Sequence, residues 1–223
     1  MLQTIQKRVT KQTCTAAILA GGHARRLRGT DKAKLPVGGE TIIEREIRVL
    51  HDVVAVPPCI VTDDPKRYTE TGLTILTDHI PNTGALGGLY TAVVGGPGTW
   101  VLVVACDMPF LSASFLQYLL SIETHADAII PRSEAGYHPL CAIYSHRCEV
   151  KIRQALTAGN LVIKKLLNKI DIHEVGPKKI AQYDPFDAIL LNVNTLHDYE
   201  RARSLAPIID KKTSPNSTAD RIS

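Results

Sequence analysis

The densest chemistry in the chain lies in Leu19-Ala20-Gly21-Gly22-His23-Ala24-Arg25-Arg26-Leu27-Arg28-Gly29-Thr30-Asp31-Lys32. Two glycines at the end of an apolar run let the backbone approach a ligand closely and turn N–H groups inward. Arg25, Arg26 and Lys32 add fixed positive charge to the same loop. Phosphates need both features. A glycine turn followed by a solvated basic loop is the plainer reading, but the crowding of Arg25, Arg26, Arg28 and Lys32 favours an anion site. His23 faces either a phosphate or solvent. The loop matches neither G-x-x-x-x-G-K-[S/T] nor G-x-G-x-x-G, which speaks against a P-loop NTPase and a dinucleotide-dependent oxidoreductase.

A second centre is Cys106-Asp107-Met108-Pro109. A carboxylate just past a buried strand, followed by a proline turn, can hold Mg²⁺, which takes oxygen ligands and keeps waters or substrate phosphates on its other positions. The alternative is an Asp that caps the turn. Asp63, Asp64 and Asp78 also follow apolar runs. Asp78 either accepts hydrogen bonds from a ribose or base edge, or is a turn acid near Pro81. Asn192 and Asn194 alternate at the end of the last apolar run, so they share a face on which two amides can read a polar ligand. His138 reads as an ordinary loop histidine, and Cys141 as a strand residue without zinc-ligand spacing.

Elements that place these residues alternate between strand and helix. Strands are expected at Ala16–Ala20, Cys59–Val61, Leu73–Leu76, Trp100–Ala105, Asp127–Pro131, Leu140–Tyr144, Asp171–Val175 and Ala188–Leu191. Helices are expected at Thr41–Leu50, Leu86–Val94, Phe115–Ser121 (capped by Ser112 or Ser114), Glu149–Ala158 and from Asn160 to about Asn168. A short polar helix is expected at Pro65–Thr71, and Thr195 to Asp198 forms a capping box opening the last helix. This alternation predicts an α/β fold, a three-layer α/β/α sandwich with a mostly parallel sheet. Ligands bind such sheets beyond the carboxyl ends of strands, where the strand order reverses. Residues 1–13 are expected to be a flexible leader, 14–206 a single domain and 207–223 a disordered tail.

The 223 residues carry a net charge of +4, with 44% hydrophobic and 22% charged side chains, the composition of an ordinary globular chain. The small excess of charge, and aromatics at 5%, argue against a nucleic-acid-binding surface. The apolar runs are too short for a membrane span. Five cysteines without a C-x-x-C pair fit a reducing cytosol better than a disulfide framework, so the expected location is cytoplasmic.

Taken together, the loop at 19–32, Gly84-Ala85-Leu86-Gly87-Gly88, Cys106-Asp107-Met108-Pro109-Phe110-Leu111, His138-Pro139 and Asn192-Val193-Asn194-Thr195 resemble the motifs of the molybdenum cofactor guanylyltransferases, in that order and over about residues 15–206. The resemblance implies a Rossmann-like nucleotidyltransferase sheet and transfer of GMP from GTP to Mo-molybdopterin. It implies Mg²⁺ as cofactor and Lys32, Arg26 and Asp107 as catalytic residues. Leu19, Ala20 and Gly21 would line the guanine nucleotide, with Gly22 and Arg26 near its phosphates. Lys32 would hold the phosphates and Asp107 the metal. Asp78, with Thr62 or Asp63, would contact the nucleoside, and Asn192 and Asn194 would face the molybdopterin. Protein partners in cofactor biosynthesis or molybdoenzyme maturation are compatible with it. The residues themselves leave open a CTP-using relative, a different phosphorylated acceptor and a nucleotide-binding module without catalysis.

Overall fold

In the computed structural model, which describes residues 13–21 and 31–213, the chain starts with β1 (Cys14–Leu19). A 3-10 turn at Lys32–Lys34 leads into a small hairpin of β2 (Pro36–Val37) and β3 (Glu40–Thr41), then α1 (Ile42–Val53) and β4 (Cys59–Thr62). A second 3-10 segment, Pro65–Thr71, precedes β5 (Thr74–Thr77), α2 (Gly84–Gly95) and β6 (Trp100–Ala105). Next come α3 (Ala113–Ser121), β7 (Ala128–Ser133), β8 (Gly136–Tyr137), β9 (Cys141–Ser145), α4 (Cys148–Thr157) and α5 (Ile163–Leu167). The chain closes with β10 (Ile172–Val175), α6 (Pro177–Ile180) and α7 (Leu196–Thr213).

Local chemistry sets the helix starts. Thr41 and Glu44 form a capping box on α1, Ser112 accepts from the Phe115 amide to start α3, and Thr195 with Asp198 opens α7. Gly159, at φ +68°, takes the left-handed conformation just past α4, where a side chain would be strained.

The main sheet has the order β10-β7-β9-β6-β1-β4-β5, with β8 attached to β7. The pairs β1–β4, β1–β6, β4–β5 and β7–β10 are parallel; β9 runs antiparallel to both β6 and β7. The chain leaves β1 towards β4 and β5, then returns to the other side of β1 as β6, so the order reverses at β1. There the two central strands run in register, Leu19 opposite Ala105.

Every residue of β1 and β6 is buried, as expected of strands covered on both faces. Alternation divides them. Ile18, Leu102 and Val104 pack with Ile43, Leu50, Phe115 and Leu119 of α1 and α3. Ala17, Leu19, Val101 and Val103 pack with Leu86, Leu89, Val93 and Ile152 of α2 and α4. These two clusters are the faces of a three-layer α/β/α sandwich, the expected architecture.

Two expectations are corrected. Ala188–Leu191 is a turn, not a strand: the Asp184 carboxylate accepts from the Ala188 and Ile189 amides at 2.8 and 3.1 Å, and Leu191 N–H donates to Ala188 O. Those N–H groups are taken, so none is free for a ladder. The segment 207–213, expected to be disordered, continues α7 with Pro207 inside it. Ala202 and Ala206 are fully buried against Leu35, Val37, Ile42 and Phe110, Ile209 packs on the same cluster, and Asp210 pairs with Arg45. These contacts hold the helix across the proline. Residues 1–12 of the expected leader and 214–223 of the expected tail lie outside the described residues. Thr13 is tied in, its carbonyl accepting from Thr99 and Trp100.

Candidate functional site

The crevice beyond β1 and β6 gathers residues from six stretches of chain. The Cys106 amide donates to Leu19 O at 3.2 Å, the last rung between the central strands. Beyond it the chain diverges into Ala20-Gly21 on one side and Asp107 on the other. The Asp107 carbonyl accepts from Val193 N–H at 2.8 Å, which lays the 192–195 segment beside the Asp107 turn.

On one flank sit the residues expected to line a nucleoside. Ala20 N–H donates to Val61 O at 2.8 Å, and the fully buried Thr62 hydroxyl donates back to Ala20 O at 3.3 Å. Asp78 N–H donates to Thr62 O, so Asp78 stands one position past the ends of β4 and β5. Its carboxylate lies against Gly21. A Cβ at Gly21 would come within 3.3 Å of Asp78 Oδ2 and 3.4 Å of Thr62 Cα, so glycine keeps this wall thin. Gly88, in the first turns of α2, closes the flank behind Leu19 and Asp78. Desolvation, and then the nearby Asp63 charge, raise the Asp78 carboxyl above the usual range. Asp64 has taken the plain role, capping the next 3-10 segment through the Lys66 amide.

On the other flank Lys32 is only 7% exposed. Its Nζ donates to Asn194 Oδ1 at 2.9 Å. Asp31 sets the lysine's turn. One of its oxygens accepts from the Ala33 amide, and the other from Arg67 at 2.6 Å and the Tyr68 hydroxyl at 3.0 Å. Asp107 is close enough to Lys32 that the ammonium pulls its pKa down; desolvation outweighs this and leaves the carboxyl at about 6. Asn192 borders a cleft of about 160 Å³ with Met108, Tyr137, His138 and Pro139. His138 is held by Ser133 through Nε2 at 2.7 Å, and burial lowers its pKa. A larger cavity of about 420 Å³, between Arg45, Phe110, Tyr183 and Ile209, is lined by none of the site residues expected from sequence.

Structure thus brings Leu19, Ala20, Gly21, Thr62 and Asp78 to one flank and Lys32, Asp107, Asn192 and Asn194 to the other. Gly22 and Arg26, like His23, Arg25 and Arg28, lie outside the described residues. Among the described residues, the buried side-chain polar atoms that find no hydrogen-bond partner belong to Glu46, Asp78, Asp107, His146 and Asn192. Asp78, Asp107 and Asn192 are all residues of this crevice. Buried polar atoms are ordinarily satisfied, so these three oxygens are candidates for bonds to water or to a ligand in the crevice.

Glu46 is the member that sequence reasoning missed. It is fully buried on α1, its Oε1 accepts from the Met108 amide at 2.9 Å, and desolvation holds it well above the ordinary carboxylate range. In sequence it reads as one more polar residue of an amphipathic helix, and nothing local marks it.

A divalent cation fits the Asp107 position. Among the described residues no group of three or more His, Cys, Asp or Glu side chains is placed to hold a metal ion. One carboxylate with an orphaned oxygen suits an ion that draws its remaining ligands from phosphates and water.

An open, mostly parallel sheet thus carries a buried lysine and strand-end carboxylates at its reversal point, where such sheets bind ligands. Residues 16–175 match the MobA-like NTP transferase domain. The chain is 32% identical over 194 residues to the molybdenum cofactor guanylyltransferase of Desulfosudis oleivorans, covering 85% of this chain and 94% of that protein. Its fold is similar to molybdopterin-guanine dinucleotide biosynthesis protein A from Archaeoglobus fulgidus, with TM-score 0.75 and 23% identity over 87% of this chain and 99% of that one. It is also similar to CMP:2-keto-3-deoxy-manno-octonic acid synthetase complexed with CTP, with TM-score 0.66 and 15% identity over 88% of this chain and 99% of that one. The chain is a nucleotidyltransferase and belongs to the molybdenum cofactor guanylyltransferase family.

Proposed function

We propose that the enzyme transfers GMP from GTP to the terminal phosphate of Mo-molybdopterin, giving molybdopterin guanine dinucleotide and pyrophosphate. The observation that carries this reading is the crevice itself: a buried lysine and three orphaned side-chain oxygens, on Asp78, Asp107 and Asn192, lie at one strand-order reversal.

An oxygen of the acceptor phosphate attacks the α-phosphorus of GTP. A new P–O bond forms, the bond to the β-phosphate oxygen breaks, and that oxygen leaves on pyrophosphate with the bonding electrons. The acceptor is already anionic, so little proton removal is required; repulsion between anions is the main barrier. Lys32 supplies fixed positive charge at the phosphates, and its short bond to Asn194 keeps the ammonium from wandering. Arg26 is assigned to the same phosphates. Asp107 would hold Mg²⁺, whose contribution when bound is charge neutralisation across the phosphates. Gly21, Thr62 and Asp78 bind the nucleoside, and Asn192 and Asn194 face the acceptor. Among the described residues no helix is long and apolar enough to cross a membrane. All five cysteines are free.

The test is incubation with Mo-molybdopterin, Mg²⁺ and each nucleoside triphosphate in turn, with pyrophosphate as the readout. GTP alone should support rapid release that depends on the acceptor. Preferential release from CTP would reassign the base, and no release from any nucleotide would reduce the protein to a binding module.

A further inference from the structure

Two consecutive residues of α1 grip the turn that carries Asp107. Arg45 Nε donates to Pro109 O at 3.0 Å, and Glu46 Oε1 accepts from Met108 N–H at 2.9 Å. Arg45 is itself fixed, with Nη1 on Val37 O at 3.1 Å and its guanidinium paired with Asp210 of α7. Glu46 has no exposure to solvent, and its second oxygen finds no partner. A buried carboxyl that makes a single hydrogen bond is costly to keep, and a packed apolar side chain would ordinarily be more stable there. The one bond it makes lands on the amide directly after Asp107.

We propose that Glu46 is a positioning residue: by accepting the Met108 amide it fixes the peptide after Asp107 and so aims the Asp107 carboxylate at the metal. This rests on the reading of Asp107 as the metal ligand. The contact is made from α1, which packs on the Lys32–Lys34 turn and grips the Asp107 turn, and so bears on the Lys32–Asp107 flank of the crevice. Its loss should therefore weaken metal binding and leave the nucleoside contacts of Gly21, Thr62 and Asp78 in place. Groups that orient a ligating carboxylate typically account for about 10- to 100-fold in metal affinity or activity.

The test uses the full chain with Mn²⁺ as the probe, read by water-proton relaxation in the presence of GTP, for Glu46→Gln, Glu46→Met and Asp107→Asn. Glu46→Gln keeps an acceptor for the Met108 amide and should retain the wild-type Mn²⁺ affinity. Glu46→Met keeps the volume but removes the acceptor. It should weaken Mn²⁺ by about 10-fold or more, lower kcat with little change in the GTP KM, and speed hydrogen exchange at the Met108 amide. Should Glu46→Met not fold, Glu46→Asp, which draws the oxygen back by one methylene, takes its place. Wild-type Mn²⁺ affinity in the acceptor-less variant, or equal losses in Glu46→Gln and Glu46→Met, would overturn the proposal. Asp107→Asn separates the two readings. If it binds Mn²⁺ like the wild type, the metal assignment itself is wrong; if it loses Mn²⁺ while Glu46→Met does not, only the Glu46 role fails.

Discussion

Lys32 Nζ and Asn194 Oδ1 meet at 2.9 Å although 162 positions separate the residues in sequence. The bond joins the turn after the first strand to the segment that opens the last helix. Its acceptor is an amide, which orients the ammonium without neutralising it. Asn194→Ala should therefore lower kcat modestly, by about 10-fold, through a less well held lysine. Asn194→Asp should cost more than Ala, because a carboxylate there would pair with Lys32 and compete with the phosphates. Steady-state kinetics on the two variants decides the order; an Asp variant as active as wild type would show that Lys32 does not serve the phosphates from this position.

The Asp107 carboxyl stands at about 6 rather than 3.8 because burial penalises its charge more than Lys32 favours it. A carboxyl raised in the folded state favours folding at low pH, and that contribution is lost as pH climbs from about 4 through about 6. Above this window the charged group is a burden of up to about 3 kcal/mol in the metal-free protein. Asp107→Asn should accordingly raise Tm at pH 7.5 without metal, with the gain fading towards pH 4. Thermal unfolding of both proteins across that range checks it. Activity at limiting Mg²⁺ should fall as pH drops through about 6, and less so at saturating Mg²⁺, since metal and proton compete for the same oxygens.

Gly21 leaves slightly less than van der Waals room for a methyl group, with Asp78 Oδ2 at 3.3 Å and Asp63 N and Thr62 Cα at 3.4 Å from an added Cβ, so the Asp78 side chain would have to give by a few tenths of an ångström. Gly21→Ala should leave the fold nearly as stable as before while raising the GTP KM by about 10-fold, because the methyl group stands where the nucleoside needs thin backbone. Tm and KM measured together test this; a normal KM would remove Gly21 from the nucleotide flank.

Helix α7 buries Ala202 and Ala206 and delivers Asp210 to Arg45. Cutting the chain after Leu205 removes Ala206, Ile209 and Asp210, exposes the cluster around Val37 and Phe110, and should lower Tm by several degrees, on the order of 2–4 °C per kcal/mol lost. Ending it after Thr213 keeps these contacts and should cost less. Equal stability of the two truncations would contradict the packing described for 206–213.

Strands β1 and β6 were legible because burial on both faces demands unbroken apolar runs, and the crevice followed from strand order once the alternation of elements was read. Ala188–Leu191 carried the same apolar signal but belongs to a turn. Its fate was decided by the Asp184 carboxylate four residues upstream, which no apolar pattern reports. The end of α7 was hidden by its polar composition, since past Ala206 it is Ile209 that packs on the core among the described residues. Lys32, Asp107 and Asn194 could be picked by residue type, but their meeting depends on β1 and β6 lying side by side. Glu46 could not be picked at all. A buried glutamate and a solvated one look alike in a helical pattern, and the Met108 amide that occupies it is 62 positions away.

The proposed transfer requires Lys32 and Asp107 to grip the same triphosphate. A crystal structure with a non-hydrolysable GTP analogue and Mn²⁺ measures this, with anomalous scattering locating the ion. The predicted result is an Mn²⁺ peak on the Asp107 carboxylate that also ligates the nucleotide phosphates, with Lys32 Nζ bonded to those same phosphates. Nucleotide phosphates bound away from Lys32, or an ion that leaves Asp107 untouched, would contradict it.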